Sequence, residues 1–217
     1  MAVGWTIVLD IGKTISKASL WDDAGDCVAH RARPNQRVSA GDSLTLDAVG
    51  IAQWLKSAFA EFSKMGPVTA LVPVAHGAGV VIIRNGQVLH APLDYEWVGV
   101  GVDRAAYDKQ RDLFSATGSP ALPGGLNLGM QLHWLESLGS AEFRGGQILP
   151  WAQYWAWLLC GVPAAEITSL GCHSDLWRPY ERRASDLAQH RGWAERLAPL
   201  RSAGAVLGTL KLSLIHI

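Results

Sequence analysis

Residues 9–17 read Leu9-Asp10-Ile11-Gly12-Lys13-Thr14-Ile15-Ser16-Lys17, and the interpretation of the whole chain starts from this stretch. It joins an apolar run rich in β-branched residues, 5–10, to an alternating run, 16–21. An acidic residue closes the first predicted strand, a glycine opens the turn, and hydroxyl and amine side chains follow. The pattern predicts two antiparallel strands joined by a short polar turn.

The composition of this turn is typical of a phosphate-binding loop. Its backbone N–H groups, with Thr14, Ser16 and Lys17, can face phosphate oxygens. Asp10 can hold Mg²⁺ directly or through water. A plain hairpin in which Asp10 caps its own turn is the competing interpretation, and the string alone does not separate the two.

The composition excludes several classes of protein. Of the 217 residues, 49% are apolar and 18% are charged, which excludes a disordered chain. The 19 basic residues balance the 19 acidic ones, so we expect no general attraction to nucleic acid or to an anionic membrane surface. Two apolar stretches, 68–83 and 149–165, are interrupted by proline and polar residues, and we expect neither to span a membrane. Three widely spaced cysteines, Cys27, Cys160 and Cys172, fit neither a disulfide framework nor a metal knuckle and favour a cytoplasmic location.

The order of predicted elements indicates one α/β domain. A third strand, 26–32, completes an antiparallel meander, and a helix over 46–63 follows, capped by Thr45 or Asp47. Residues 68–74 form an almost continuous apolar run, which predicts a central strand parallel to the first. Asn85-Gly86 then predicts the turn of a hairpin. The second half is predicted to be mostly helical, with helices over 128–138, 150–160 and 182–189. Trp151, Trp155 and Trp157 are expected to pack this half.

This order of motifs resembles the N-terminal domain of the FGGY carbohydrate kinase family, in the sugar kinase, actin and Hsp70 ATPase superfamily. The family opens with D-x-G-T-(S/T)-x-x-(K/R), and Asp10, Gly12, Thr14 and Lys17 match it. The similarity is greatest to the rhamnulokinase and fuculokinase branch. Further segments resemble the family in order: 74–79 (Val-Ala-His-Gly-Ala-Gly), 91–96 (Ala-Pro-Leu-Asp-Tyr-Glu), 113–118 (Leu-Phe-Ser-Ala-Thr-Gly), 148–150, 166–169 and 206–210 (Val-Leu-Gly-Thr-Leu).

The resemblance implies a ribonuclease H-like, actin-like ATPase domain that takes part in ATP- and Mg²⁺-dependent phosphorylation of a hydroxyl on a ketose, deoxyketose or polyol. The residues expected on the nucleotide side are Asp10, Gly12, Lys13, Thr14, Ser16 and Lys17, with Asp10 at the metal. The residues expected on the sugar side are His76, Gly77, Asp94, Tyr95 and Asn127. Lys13 departs from the family, which usually has Thr or Ser there, and His76-Gly77 replaces its usual sugar contacts.

The resemblance assigns no catalytic base to this chain. The family's base is an aspartate in a G-x-H-D-like motif downstream of V-L-G-x-L. Residues 171–175, Gly-Cys-His-Ser-Asp, imitate that motif but precede 206–210, so we do not expect Asp175 to be the base. We expect His173 and Asp175 to form a local turn.

The end of the chain suggests a truncated protein. Residues 212–217 resemble the translation of a sequencing adapter, although they also alternate like a short strand. We therefore expect residues 1–210 to be the N-terminal kinase domain, 211–217 to be non-native and a second domain to be absent. Such a fragment would be inactive alone, and the full-length protein could be a homodimer. The alternatives are an ATPase-type scaffolding module and a stand-alone sugar-binding domain.

Overall fold

The computed structural model describes residues 4–97, 103–139 and 143–211. The strands are β1 (Trp5–Ile11), β2 (Ile15–Trp21), β3 (Cys27–Pro34), β4 (Arg37–Ala40), β5 (Ser43–Leu46), β6 (Val68–Ala75), β7 (Val80–Arg84), β8 (Gln87–His90), β9 (Gln147–Pro150), β10 (Trp177–Arg178) and β11 (Arg183–Ala184). The helices are α1 (Ala48–Phe62), α2 (Arg104–Asp108), α3 (Phe114–Thr117), α4 (Leu128–Ser137), α5 (Trp151–Cys160), α6 (Ile167–Leu170) and α7 (Asp186–His190), with a 3₁₀ turn at Ala194–Arg196.

The main sheet has the strand order β3-β2-β1-β6. The first three strands are antiparallel, and β6 runs parallel to β1, as predicted. Side chains on one face of β1, Ile7, Leu9 and Ile11, are at most 2% exposed, and α1 and α5 lie on that side of the sheet. The mixed sheet with its helices confirms the predicted α/β class.

The predicted central position of β6 is wrong within the described residues, where it forms an edge of the sheet. Its apolar run indicated burial on both faces, yet Val72 is 44% and Val74 is 49% exposed. The register places these two valines beside Val8 and Asp10 of β1. The sheet therefore has one face covered by helices and one face that is partly open.

Helix α1 begins after Asp47, which caps its first turn. The Asp47 side chain accepts a hydrogen bond from the Gly50 amide at 2.8 Å, so Asp47 is the cap rather than Thr45. Ile51, Leu55 and Phe62 lie at helical spacing and are at most 2% exposed. Thr45 belongs instead to the β4–β5 hairpin, which the sequence analysis did not predict.

The predicted hairpin is present as β7 and β8. Asn85 (φ 50°) and Gly86 (φ 75°) both have positive φ, as a type I′ turn requires. The sequence analysis missed β9, which pairs antiparallel with β7 and makes a second, three-stranded sheet.

The second half is not mostly helical as predicted: within the described residues, short strands and loops separate helices α2 to α7, of which α2, α3 and α6 were not predicted. Trp151, Trp155 and Trp157 on α5 are at most 6% exposed, which confirms that they pack the interior. The helix predicted over 182–189 is shorter, because residues 183–184 pair with β10 and Ser185 caps α7. The Lys211 amide donates to Leu159 O at 2.9 Å. Of the stretch predicted to be non-native, 211–217, only Lys211 is among the described residues.

Within the described ranges, no helix is both long and apolar enough to cross a lipid bilayer.

Candidate active site

The turn between β1 and β2 exposes three of the residues expected to contact phosphate. Asp10 faces Lys17 across the two strands, with Lys17 Nζ 3.6 Å from Asp10 Oδ2. Both side chains are more than half exposed, and Thr14 is exposed at the tip of the turn. A carboxylate, a hydroxyl and an ammonium group thus reach solvent together beside the open face of the sheet. These are suitable groups for Mg²⁺ and phosphate oxygens.

Gly12 and Asn35 hold the shape of this turn. The Gly12 amide donates to Ile15 O at 3.1 Å, and a Cβ on Gly12 would lie 2.6 Å from that oxygen, so no larger residue fits. Asn35, which follows β3, donates from Nδ2 to Gly12 O at 2.9 Å and from its amide to Thr14 O at 2.8 Å. Its Oδ1 accepts from Ser16 Oγ at 3.0 Å.

Ser16 therefore stabilises the turn from the buried face of β2, through its hydrogen bond to Asn35. Ser16 is fully buried, and its hydroxyl donates a hydrogen bond to Asn35. The hydroxyl is therefore not exposed to a phosphate group, contrary to the prediction from the sequence. The strand alternation explains this, because Ser16 shares the buried face of β2 with Ala18 and Leu20. The sequence offered no signal for Asn35, which is 19 residues from its Ser16 partner.

We call residues 10–17, the turn between β1 and β2 with its flanking residues, the phosphate turn. The Lys13 side chain does not lie with the exposed groups of this turn but contacts residues 94–96. Its Nζ lies 2.9 Å from Asp94 Oδ1, 2.7 Å from Glu96 Oε1 and 4.0 Å from the centre of the Tyr95 ring. Arg37 of β4 pairs with the same two carboxylates, at 2.9 Å from Nε to Asp94 Oδ2 and through Nη2 to Glu96. Two cations and two anions thus alternate in a ring, which we call the ion-pair square (Lys13, Asp94, Arg37, Glu96).

The ion-pair square occupies Asp94, which the sequence analysis assigned to the sugar. Asp94 is fully buried; its Oδ1 also accepts from the Glu96 amide at 2.8 Å. Glu96 is half exposed, and its hydrogen bond with Lys13 holds the pKa of that carboxyl below its usual value. The sequence analysis missed Arg37 and Glu96, because their contacts join segments 59 residues apart.

His76 lies at the carboxyl end of β6, beside the ion-pair square. Its ring is 5.8 Å from the Tyr95 ring in an edge-on arrangement and 6.3 Å from Trp151. Burial, followed by the nearby Lys13 charge, lowers the pKa of His76 to about 4 despite the opposing effect of Asp94. The imidazole is therefore neutral at physiological pH, with one nitrogen able to donate and one able to accept.

Both ring nitrogens of His76 are buried without a hydrogen-bond partner among the described residues, and so is Trp151 Nε1. Leaving buried polar groups unpaired is costly, and such groups usually face a ligand or an ordered water. The next residue, Gly77, is close to the loop after α6: a Cβ there would lie 3.1 Å from His173 Nε2 and 3.7 Å from Cys172 Sγ. His173 thus lies close to Gly77 and belongs to this region as well as to its own turn.

Asn127 and Asp175 lie in a separate buried network. Asp175 accepts from Tyr107 Oη at 2.6 Å and from Arg111 Nε and Nη2 at 2.9 and 2.7 Å. Asn127 Nδ2 donates to Pro120 O and His173 O, and its Oδ1 accepts from the Leu122 amide. All polar atoms of the Asn127 side chain are accordingly used by protein groups. We do not carry Asn127 into the proposed sugar site.

The Asp175 contacts are long-range rather than the local turn contacts expected from the sequence. Asp175 is 2% exposed, has φ 65° and pairs with Arg111, 64 residues away. Burial and the Asp175 carboxylate raise the pKa of Tyr107 well above its usual value, so its hydroxyl stays protonated and donates. This arrangement ties α2 to the loop before β10 and leaves the carboxylate without access to solvent.

A cavity of about 470 Å³ lies between the loop after α2 and helix α7. Its charged lining residues include Arg178, Asp112 and Asp186, which already pair with one another. None of the residues predicted for nucleotide or sugar lines it. The buried, unpartnered groups around His76 therefore mark the better candidate site.

A mixed sheet with helices, in which three antiparallel strands are followed by a helix and a parallel strand, fits the actin-like ATPase fold of sugar kinases. Comparison with solved structures shows this fold. The chain superposes on a gluconate kinase from Lactobacillus acidophilus with a TM-score of 0.80 at 15% identity, covering 99% of this chain and 45% of that one. For a glycerol kinase from Plasmodium falciparum, solved with ADP, the TM-score is 0.81 at 12% identity, covering 98% and 46%.

One similar structure is related in sequence as well. The chain is 45% identical to a carbohydrate kinase from Novosphingobium aromaticivorans, with a TM-score of 0.92, and covers 99% of its own length and 46% of that chain. It thus spans about half the length of the kinases it resembles. No protein-family model matches the sequence, and no curated protein matches it either.

Proposed function

We propose that this chain is the N-terminal half of an ATP-dependent carbohydrate kinase of the FGGY type, which phosphorylates a hydroxyl of a neutral ketose, deoxyketose or polyol. The observation that carries the proposal is His76, a neutral imidazole beside the Tyr95 ring and the Lys13 side chain, whose two buried nitrogens have no hydrogen-bond partner in the described part of the chain. The 45% identity to a carbohydrate kinase supports it. The order of the sequence motifs favours the rhamnulokinase and fuculokinase branch.

The chemistry around His76 suits a neutral sugar. A hydroxyl group can both donate and accept, so it can pair with either nitrogen of a neutral imidazole. The aromatic rings of Tyr95 and Trp151 offer apolar surface to the C–H groups of a sugar. The ion-pair square contains two positive and two negative groups, so it supplies no unbalanced charge for a substrate carboxylate.

The exposed groups of the turn suit the nucleotide side. Asp10 would hold Mg²⁺, directly or through water, and Thr14 and Lys17 would contact phosphate oxygens. Bound Mg²⁺ would supply charge neutralisation for the phosphates. The exposed carboxylate of Asp10, whose nearest cation is Lys17 at 3.6 Å, fits this role because its oxygens remain accessible.

The transfer forms a bond between the sugar oxygen and the γ-phosphorus, breaks the bond to the ADP oxygen and releases the hydroxyl proton to a base. We propose that the base and the adenosine pocket lie in a second domain beyond residue 211, which would also cover the partly open face at Val72 and Val74. Closure of two domains would exclude water from the transfer. We further propose a cytoplasmic enzyme.

Direct binding by this chain tests the sugar site. Calorimetric titration with a panel of ketoses, deoxyketoses, alditols and sugar acids should show binding of at least one neutral compound and none of the acids. His76→Gln should weaken that binding at least tenfold, whereas His30→Gln, at an exposed position on β3, should not change it. Equal binding to the two variants would refute the assignment of His76.

Activity assays separate the alternatives. In a longer protein that contains this segment, sugar-dependent ADP release supports the kinase, whereas sugar-independent release supports an ATPase-type module. Sugar binding that no nucleotide alters, together with no ADP release, supports a stand-alone sugar-binding domain.

A further inference from the structure

Lys13 belongs to the phosphate turn by sequence and to the sugar side by structure. Its backbone lies between Gly12 and Thr14, but its side chain is only 10% exposed and is held by Asp94 and Glu96. A phosphate group would have to displace two carboxylates, both within 3 Å, to reach this ammonium group. Lys17, in contrast, has a side chain that is 60% exposed and a single carboxylate at 3.6 Å. The two lysines of the turn are therefore not equivalent.

The ion-pair square joins three separate parts of the chain. Lys13 comes from the phosphate turn, Arg37 from β4, and Asp94 and Glu96 from the segment after β8. Lys13 and Asp94 form its inner pair, with side chains 10% and 0% exposed, and Arg37 and Glu96 form its half-exposed outer pair. Ion pairs with a buried member constrain the geometry of the groups that they join, because separating them would leave a buried charge without compensation. The square accordingly fixes the segment after β8 against the phosphate turn.

Tyr95 connects the ion-pair square to His76 of the proposed sugar site. It lies between Asp94 and Glu96, and the Lys13 ammonium group sits 4.0 Å from its ring centre, within the range of a cation–π contact. The centres of the Tyr95 and His76 rings lie 5.8 Å apart, with the two ring planes nearly perpendicular. Lys13 thus determines where the Tyr95 ring lies relative to the unpartnered imidazole.

We propose that Lys13 is a specificity-determining positioning residue of the sugar site, acting through Tyr95 and the ion-pair square, and not a ligand of the nucleotide phosphates. The inference rests on the proposed function for the identity of the substrate. It differs from the expectation for this turn, which placed Lys13 beside phosphate. It also gives the substitution of lysine for the usual threonine or serine a role: it connects the two halves of the site.

Kinetics with the longer protein distinguish the two roles. Lys13→Met keeps an unbranched side chain of similar length and removes the charge. It should raise KM for the sugar at least tenfold and leave KM for ATP within about twofold, and Lys13→Arg should restore most of the sugar affinity. Lys17→Met should show the reverse pattern, with the larger effect on KM for ATP. A rise in KM for ATP alone in Lys13→Met would overturn the proposal.

A second measurement on this chain does not depend on any substrate. The Lys13 charge is one of the causes that depress the pKa of His76, with burial and His173, while Asp94 opposes them. The NMR titration of the His76 ring should therefore move up in pH in Lys13→Met. It should stay in place in Lys17→Met and in Lys56→Met, an exposed position on α1.

The two failures can be told apart. If no sugar binds but the His76 titration moves as expected, the proposed function fails while the geometry of Lys13 stands. If a sugar binds equally well to wild type and Lys13→Met, and the His76 titration does not move, the inference about Lys13 is refuted and the kinase assignment is unaffected.

Discussion

Replacing Asp175 by asparagine tests whether this carboxylate is structural or catalytic. The substitution keeps the size of the side chain, and asparagine tolerates the observed φ of 65°, so neither a cavity nor backbone strain arises. The change removes the charge opposite Arg111, whose side chain is 12% exposed. It also places an NH₂ group in a site where Tyr107 and Arg111 supply three donors.

The expected cost follows from these contacts. Removing one partner of a buried ion pair typically costs about 3–5 kcal/mol, because the remaining charge stays buried without compensation. Arg111 keeps some solvent access and a hydrogen bond to Ser119 O at 3.0 Å, so we expect the lower end, about 3 kcal/mol. For a domain of this size that corresponds to a decrease in Tm of roughly 6–12 °C.

Urea unfolding and thermal melts of the chain provide the measurement, and activity of the longer protein at a temperature where the variant is folded completes it. The control is Asp108→Asn, which removes an exposed i,i+4 pair with Arg104 and should cost less than about 0.5 kcal/mol. Unchanged stability in Asp175→Asn, with turnover lower by about 10²-fold or more, would show that Asp175 is a general base.

Three further predictions concern the phosphate turn, the sugar site and the core. The folded-state pKa of His76, about 4 against 6.5 unfolded, means that the unfolded chain binds the proton first, so the free energy of unfolding should fall by roughly 3 kcal/mol between pH 6.5 and 4. In urea unfolding between pH 6.5 and 4, the free energy of unfolding of His76→Gln should depend less steeply on pH than that of the wild type. An identical pH dependence would contradict the lowered pKa of His76. Asn35→Ala leaves the buried Ser16 hydroxyl unpaired and should cost about 1–3 kcal/mol in urea unfolding while raising KM for ATP; unchanged values of both would rule out its role in the turn. Trp155→Ala, at a fully buried position, should cost about 3–5 kcal/mol, and a loss below about 1 kcal/mol in denaturant unfolding would mean that α5 does not pack as described.

Local sequence patterns were sufficient to predict most of the strands and helices. The alternation in β2, the helical spacing of Ile51, Leu55 and Phe62, and the positive φ tolerated at Asn85-Gly86 are properties of neighbouring residues, so they could be predicted without the fold. The same holds for the exposed groups of the turn, Asp10, Thr14 and Lys17. Short elements such as β4, β5 and β9 were missed because their pairing partners define them.

Sequence patterns did not predict which groups the side chains of the turn contact. Lys13 and Lys17 are both basic residues of one turn, yet one is held by Asp94 and Glu96 while the other reaches solvent. Nothing in their spacing distinguishes them, because the partners of Lys13 come from a segment some 80 residues further along the chain. Ser16 and its partner Asn35 show the same difficulty at shorter range.

The sequence by itself determined the α/β class, the strand-turn-strand that carries Asp10 and the resemblance to carbohydrate kinases, because these depend on local periodicity and on the order of short motifs. Only the tertiary structure decided that β6 has an exposed face, that Asp175 is tied to Arg111 and Tyr107, and that Lys13 pairs with Asp94 and Glu96. These features depend on which distant segments meet. For Asp175 and Lys13, the deciding contacts are ion pairs with residues more than 60 positions away in the chain.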